Sequence, residues 1–326
     1  MDVSIVIPTY NRARLLRSTI PALSNQRTTG FQYEVIFVSN GSSDDTESVL
    51  REAATEFDGK IRYYVIAPTG GPSAPRNVGI RAATGDIVII LDDDVMPDPD
   101  LVLQHVEFHR AHPEPHRAAI GEVYVPARLM DDPMSLFHTF PYDEVRRLPR
   151  LSYLHFWTCN VSFKRSFMLE KGMFDEKFLY FEDVVCAYKL AAGGMELSFA
   201  PAARGEHLHQ LKPEGVPAKG LFTGLWLYAF LEKVPDLQAK LRFGVLSADL
   251  PAPVLVRRVL SRAAFRLIDN PLTFAALRWM GATGGKRSRI TDLYYRLIFR
   301  QNLLAGYAKA KSEARAGAGW VDRGEP

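Results

Sequence analysis

Long apolar runs are scarce in this sequence. The longest, GLFTGLWLYAFL at 220–231, covers twelve residues, whereas a helix crossing a bilayer takes about 20. Cysteine is nearly absent: Cys159 and Cys186 are the only two in 326 residues. That excludes a disulfide framework and predicts a reducing compartment. The N-terminus, MDVSIVIPTYNR, carries no basic n-region and no long apolar core. No signal peptide is therefore expected, and the predicted location is cytoplasmic. Repeats and low-complexity tracts are missing too, which excludes solenoid and fibrous architectures.

What is present is the composition of a globular protein, 47% apolar and 24% charged, long enough to bury a sizeable core. The net charge of +3 hides an asymmetry. Residues 251–326 hold 14 Lys/Arg against 5 Asp/Glu, a balance of +9, while 1–250 hold 26 against 32, a balance of −6. The basic end has a different task or a different neighbour.

Val3–Pro8, Tyr33–Val38, Ile61–Ile66 and Asp86–Leu91 read as buried strands, being continuous apolar runs bounded by turn residues. Leu16, Ile20 and Leu23 recur at helical spacing. A helix is predicted to open at the capping-box pattern Ser42-x-x-Asp45 and to bury Val49, Leu50, Ala53, Ala54 and Phe57. The breaker-rich stretch PTGGPSAPRN reads as a loop. Alternating strands and helices predict a doubly wound, mostly parallel α/β sheet. Its ligands bind beyond the carboxyl ends of the strands, which aligns Thr9–Asn11, Ser39–Ser42 and Asp92–Asp94 on one rim. Further strands are expected at 119–126 (AIGEVYVP), Asn160–Phe163 and Glu196–Phe199, with a helix over Asp183–Ala192. After Gly215 the chain reads as helical, at 217–233, 236–247, 252–268 and 289–311. The predicted organisation is a domain of 1–212, halved at 117/118, and a helical extension of 213–326.

The sharpest chemical signal is Asp92-Asp93-Asp94 at a strand end. Adjacent carboxylates repel unless a cation or solvent relieves them. Hard divalent ions bind one or two carboxylates together with substrate phosphate oxygens. Taken alone, the triplet reads equally well as a solvated acidic turn. It is not alone: IVIPTYNR, VSNGSSDDT, GPSAPRNVGIRAATGD and LDDDVMPDP follow in that order. With them the chain resembles the family-2 glycosyltransferases of the GT-A fold over roughly residues 2–210.

The resemblance implies an inverting transferase that moves a sugar from a nucleoside diphosphate to an acceptor hydroxyl, with Mn2+ or Mg2+. Pro8, Thr9, Tyr10, Asn11 and Arg12 match the segment that cradles base and ribose. Asn40 matches the residue holding the base edge, where the family usually has an acid. Its carboxamide both donates and accepts, which suits a uridine- or thymidine-linked donor. Arg76 and Asn77 match a nucleotide-contacting loop. Asp94 matches the metal ligand of the DxD motif, Asp92 a ribose or metal contact, and Asp93 lies behind them. In FDEKFLYFED, Asp183 matches the general base, with Glu182 beside it; Val185 replaces a frequent third acid. Trp157 and Asn160 match the segment before the acceptor site, Asn160 as a diphosphate or sugar contact. His207 matches a metal-ligating histidine, with His209 as the alternative. A metal-dependent nucleotidyltransferase lacks its glycine-rich basic loop here, and a silent nucleotide-sugar-binding protein would not need both acidic pairs.

Within 252–268 apolar residues alternate with Arg257, Arg258, Arg262 and Arg266. Such helices suit the inner face of an anionic membrane, as peripheral contacts. They equally suit packing on the catalytic domain or on a second subunit, as a homodimer, and packing is the preferred reading because ordinary surface helices share the pattern.

Overall fold

The computed structural model describes residues 1–316 except Asp58, 131–139, 209–211, Ala248 and 284–288. The described residues form two compact units. One takes Met1–Pro126 and the described part of 139–209; the other takes 127–130 and the described part of 210–324.

The first unit is built on one eight-stranded sheet. Its strands are β1 (Val3–Thr9), β2 (Tyr33–Asn40), β3 (Ile61–Ile66), β4 (Ile87–Leu91), β5 (Val95–Pro97), β6 (Arg117–Tyr124), β7 (Asn160–Lys164) and β8 (Glu196–His207). The spatial order is β3-β2-β1-β4-β7-β6-β8-β5. Strands β1–β4 pair in parallel, as the apolar runs predict; β1, β2 and β4 are deeply buried, while β3 at the sheet edge is largely half-buried. Beyond β4 the sheet is mixed: β7 runs antiparallel to both neighbours, β6 and β8 are parallel, and β5 is antiparallel to β8.

Helices α1 (Ala13–Ser24), α2 (Thr46–Glu56), α3 (Ser73–Ala82), α4 (Leu101–Ala111), α5 (Tyr142–Val145), α6 (Arg165–Lys171) and α7 (Glu182–Ala192) complete this unit. Two expectations are corrected here. Helix α2 starts at Thr46, because Ser42 accepts from Asn11 N and bonds Ser39 instead of capping. The stretch expected to be a loop contains α3, which begins at Ser73. Pro75 stands in its first turn, where a missing N–H leaves nothing unsatisfied. Gly79 lets α3 lie directly on β1, since a Cβ there would collide with Val6.

The second unit is helical: α8 (Val216–Lys233), α9 (Leu237–Arg242), α10 (Ala252–Ile268), α11 (Pro271–Thr283) and α12 (Arg289–Arg315). The sequence reading lacked α11 and ran α9 five residues too far, past the turn at Phe243–Gly244. Among the described residues no helix is long and apolar enough to cross a membrane.

Candidate active site

The three rim segments meet at the carboxyl ends of β1, β2 and β4. A cleft of about 480 Å³ opens between them, lined by Pro8, Thr9, Tyr10, Arg12, Asn40, Arg76 and all three aspartates, together with Pro68, Gly70 and Gly71. Tyr10 projects its ring there with 55% exposure.

Several rim residues hold one another. Asn11 adopts a left-handed conformation, φ 52°, which asparagine tolerates better than most residues. Its Oδ1 accepts from the amides of Ser43 (2.8 Å) and Asp44 (3.3 Å), tying the β1 and β2 loops together. Asn40 is also committed. Its Oδ1 accepts from Thr69 N (3.1 Å) and Thr69 Oγ1 (2.9 Å), and its Nδ2 donates to Gly71 O (3.2 Å). Asn40 thus fixes the Thr69–Gly71 wall of the cleft.

The three aspartates have different partners. Asp93 accepts from Thr9 Oγ1 at 2.7 Å and pairs with Arg12 at 3.4 Å. Asp92 pairs with Arg76 at 3.3 Å. Asp94 lies 3.6 Å from His207 Nε2, an approach created where β5 meets β8. There Val95 pairs with His207, and Leu208 N donates to Asp94 O at 2.8 Å. His209 lies outside the described residues. Burial pushes Asp92 up to about 6, against the Arg76 charge and with help from Asp94. Burial and the Asp94 charge push Asp93 up to about 7.

Arg76 brings the second acidic pair into the same site. It is 4% exposed, donates from Nη1 to Glu182 Oε1 at 2.5 Å and from Nη2 to Asp92. The neighbouring Asn77 grips the approach to that pair: its Nδ2 donates to Phe174 O (2.9 Å) and Glu176 Oε1 (2.8 Å), while its Oδ1 accepts from Phe174 N (3.0 Å). Glu182 opens α7 directly after Phe181, which is held at φ 62°. A positive φ on an aromatic residue is strained and tends to persist where surroundings over-determine it. Asp183 Oδ1 accepts from Val184 N at 2.7 Å. Burial first, then the Glu182 charge, pushes Asp183 up to about 7, against the Arg76 charge and that hydrogen bond.

Trp157 and Asn160 do not line the cleft. Trp157 packs edge-on to Tyr142 at 5.4 Å and beside Phe140 at 4.7 Å. Asn160 is fully buried: its Nδ2 donates to Ala203 O (2.9 Å), and its Oδ1 accepts from His105 Nε2 (2.9 Å). His105 Nδ1 accepts from Ser162 Oγ (2.8 Å), which in turn accepts from His109 Nε2 (3.0 Å). This chain pins α4 to β7 behind the site. Sequence reasoning missed it, although His105 and His109, four apart among Leu101, Val102 and Val106, were a signal for a buried pair. The bridging role of Arg76 was likewise missed. Cys159 and Cys186 are free and buried.

Among the described residues no three His, Cys, Asp or Glu side chains form a ready-made metal cage. Asp94 and His207 nevertheless offer a carboxylate oxygen and an imidazole nitrogen 3.6 Å apart, a donor pair that fits a divalent cation whose remaining ligands would be substrate oxygens and water. Asp93 pairs with Arg12, and Asp92 and Glu182 with Arg76, so carboxylates outnumber guanidinium groups in these pairs, a balance that favours a cation.

Comparisons agree with this geometry. The description "Glycosyl transferase family 2" matches residues 4–169. Validoxylamine A glucosyltransferase of Streptomyces hygroscopicus subsp. jinggangensis is 31% identical over 79% of this chain and 67% of its own length. Chondroitin synthase of Escherichia coli is 28% identical over 73% of this chain, which spans only 39% of that protein. Among solved structures, a mannosyltransferase from Pyrobaculum calidifontis, in complex with GDP-Man and Mn2+, superposes with a TM-score of 0.62. The match covers 94% of this chain and 86% of that one at 20% identity. Residues 1–349 of TarS from S. aureus give 0.57 over 97% and 92% at 16% identity. These likenesses show the GT-A fold. Motifs, fold and relatives converge, and the chain belongs to glycosyl transferase family 2, as a glycosyltransferase.

Proposed function

We propose that this enzyme transfers a sugar, with inversion, from a nucleoside-diphosphate donor to an acceptor hydroxyl in one displacement, with Mn2+ or Mg2+ bound. The observation that carries the reading is the Arg76 bridge, which joins Asp92 on the donor side to Glu182 beside Asp183. The nucleotide occupies the cleft of about 480 Å³, with Tyr10 against the base. Asp94 and His207 hold the metal, with Asp92 beside them, and the ion when bound neutralises charge on the departing diphosphate.

Asp183 accepts the acceptor's hydroxyl proton as that oxygen bonds to the anomeric carbon and the carbon–diphosphate bond breaks. A carboxylate pushed up to about 7 is matched to this task, because a general base works best with its pKa near the operating pH. Arg76 pairs with Glu182 beside it and so fixes the start of α7 that carries both carboxylates.

Relatives support the donor class. The Pyrobaculum calidifontis enzyme is complexed with GDP-Man, and TarS with UDP and with UDP-GlcNAc. Uridine- or thymidine-linked sugars are the donors proposed here. Thermal melting and acceptor-free hydrolysis against a panel of uridine, thymidine and guanosine diphosphate sugars, with and without Mn2+, test the reading. Metal-dependent stabilisation by one donor series is expected; no response to any donor would overturn it.

A further inference from the structure

Helix α10 turns its apolar side outward. Its inner side is set by Phe265, which is buried beneath the Arg300 guanidinium at 4.7 Å, and by Arg258. Arg258 Nη1 donates to the carbonyls of Lys240 (3.0 Å) and Val245 (2.6 Å), and its Nη2 to that of Leu241 (2.6 Å). Helix ends leave carbonyls without partners, so Arg258 closes the end of α9 and fixes the rotation of α10. At about 100° per residue, Val256, Leu260, Ala263 and Leu267 then fall on the side opposite Phe265. All four are exposed, Leu267 to 80%. Arg257 and Arg266 border this stripe, about a quarter-turn away on either side.

A surface helix of a globular protein shows the reverse arrangement, apolar inward and charged outward. Exposed apolar side chains continue with Ile268 at the end of α10 and, past the turn, with Leu272 and Trp279 of α11, the latter 69% exposed next to Arg278.

We propose that α10 is a docking helix for an anionic lipid surface, with its stripe immersed and Arg257 and Arg266 at the headgroups. Charge selects this occupant over a second copy of the chain. Residues 252–268 contain four arginines and no acidic residue. Two such stripes face to face would oppose like charges with nothing to neutralise them. A lipid surface rich in phosphate supplies both the apolar depth and the negative charge. Docking would hold the transferase beside acceptors that reside in or on the membrane.

Flotation of the full chain with vesicles tests the proposal. Binding is expected to phosphatidylcholine mixed with phosphatidylglycerol at low salt. It should fall about tenfold with phosphatidylcholine alone, and fall again as salt screens the arginines. Leu260→Asp with Leu267→Asp should abolish flotation while leaving the melting temperature and acceptor-free donor hydrolysis unchanged. Should that variant fail to fold, Arg257→Glu with Arg266→Glu, on exposed flanks, must abolish it instead. A chain that stays in the soluble fraction at low salt overturns the proposal. So does a dimer, seen by light scattering, that the Asp variant dissociates.

Discussion

Arg76, which lines the cleft, and Glu182, 106 positions away, meet at 2.5 Å in a buried contact. The same guanidinium reaches Asp92 at 3.3 Å, so one cation serves carboxylates from two strand–helix units. Removing it leaves buried negative charge uncompensated, and the Arg76 charge is among the forces holding Asp183 down. Arg76→Gln should therefore raise the Asp183 pKa. The acid limb of the kcat/KM–pH profile is expected to move to higher pH by about one unit or more. An unmoved limb with merely reduced turnover would break the link between Arg76 and Asp183.

Asp183, pushed up to about 7, loses its basicity as it takes up a proton below that pH. Transfer should rise with pH through about 7 and level off above it. Asp183→Asn should lower kcat by ~10²–10⁴, the usual range for a lost general base, with donor affinity by calorimetry unchanged. Collapsed donor affinity with normal turnover at saturation would assign Asp183 to binding instead.

Asp94 and His207 stand 3.6 Å apart at the β5–β8 junction. Asp94→Asn and His207→Ala should each weaken Mn2+-dependent nucleotide binding, measured by calorimetry with nucleoside diphosphate and metal titrated together. Chelator should remove transfer, and added metal should restore it. Full activity of Asp94→Asn in excess chelator would exclude a metal at this pair.

The rim was legible in the sequence because β1, β2 and β4 are apolar runs that stop abruptly at Pro-Thr, Ser-Asn and the three aspartates. Burial of the strands and polarity of their ends are both local properties. Helix α3 was not legible: its prolines and the glycines before it are loop residues by local preference, and its helicity depends on Pro75 falling in the first turn. Helix α11 lacks a clear apolar stripe, so periodicity had nothing to detect. Among site residues, type predicted position better than partner. Asn11 and Asn40 lie on the rim as expected, yet each carboxamide is engaged by a loop far away in sequence. Asn160 illustrates the limit. Only the packing of α4 on β7 shows its amide facing His105 and Ala203.

The hydrogen bonds of Asn40 alter what its replacement should do. Asn40→Asp keeps the acceptor for Thr69 but loses the donor to Gly71 O, which loosens the Thr69–Gly71 wall. The donor KM is expected to rise several-fold for uridine, thymidine and guanosine donors alike, since one neutral hydrogen bond contributes about 1 kcal/mol. A change of ranking among the three bases would instead assign base reading to Asn40 itself.

The histidine chain behind the site predicts an acid-sensitive fold. Burial pushes His105 down to about 4. Burial, with the Lys164 charge, pushes His109 down to about 3. Both imidazoles are neutral in the native protein, consistent with His105 Nδ1 accepting from Ser162. An unfolded chain takes up these protons first, near the ordinary value of about 6.5. Their contribution is therefore fully present above that pH and is lost as pH falls towards 4. A tenfold change in proton affinity between the folded and unfolded chain corresponds to about 1.4 kcal/mol, so His105 alone accounts for a loss on the order of 3 kcal/mol between those limits. Denaturant unfolding at a series of pH values between 7 and 4 measures it. Carboxylates titrate over part of the same window, so the diagnostic comparison is with His105→Gln/His109→Gln, which cannot take up these protons. That variant should start less stable at pH 7, since two packed rings are lost, but its stability should decline less steeply with acid. Parallel declines would mean that the acid sensitivity lies elsewhere.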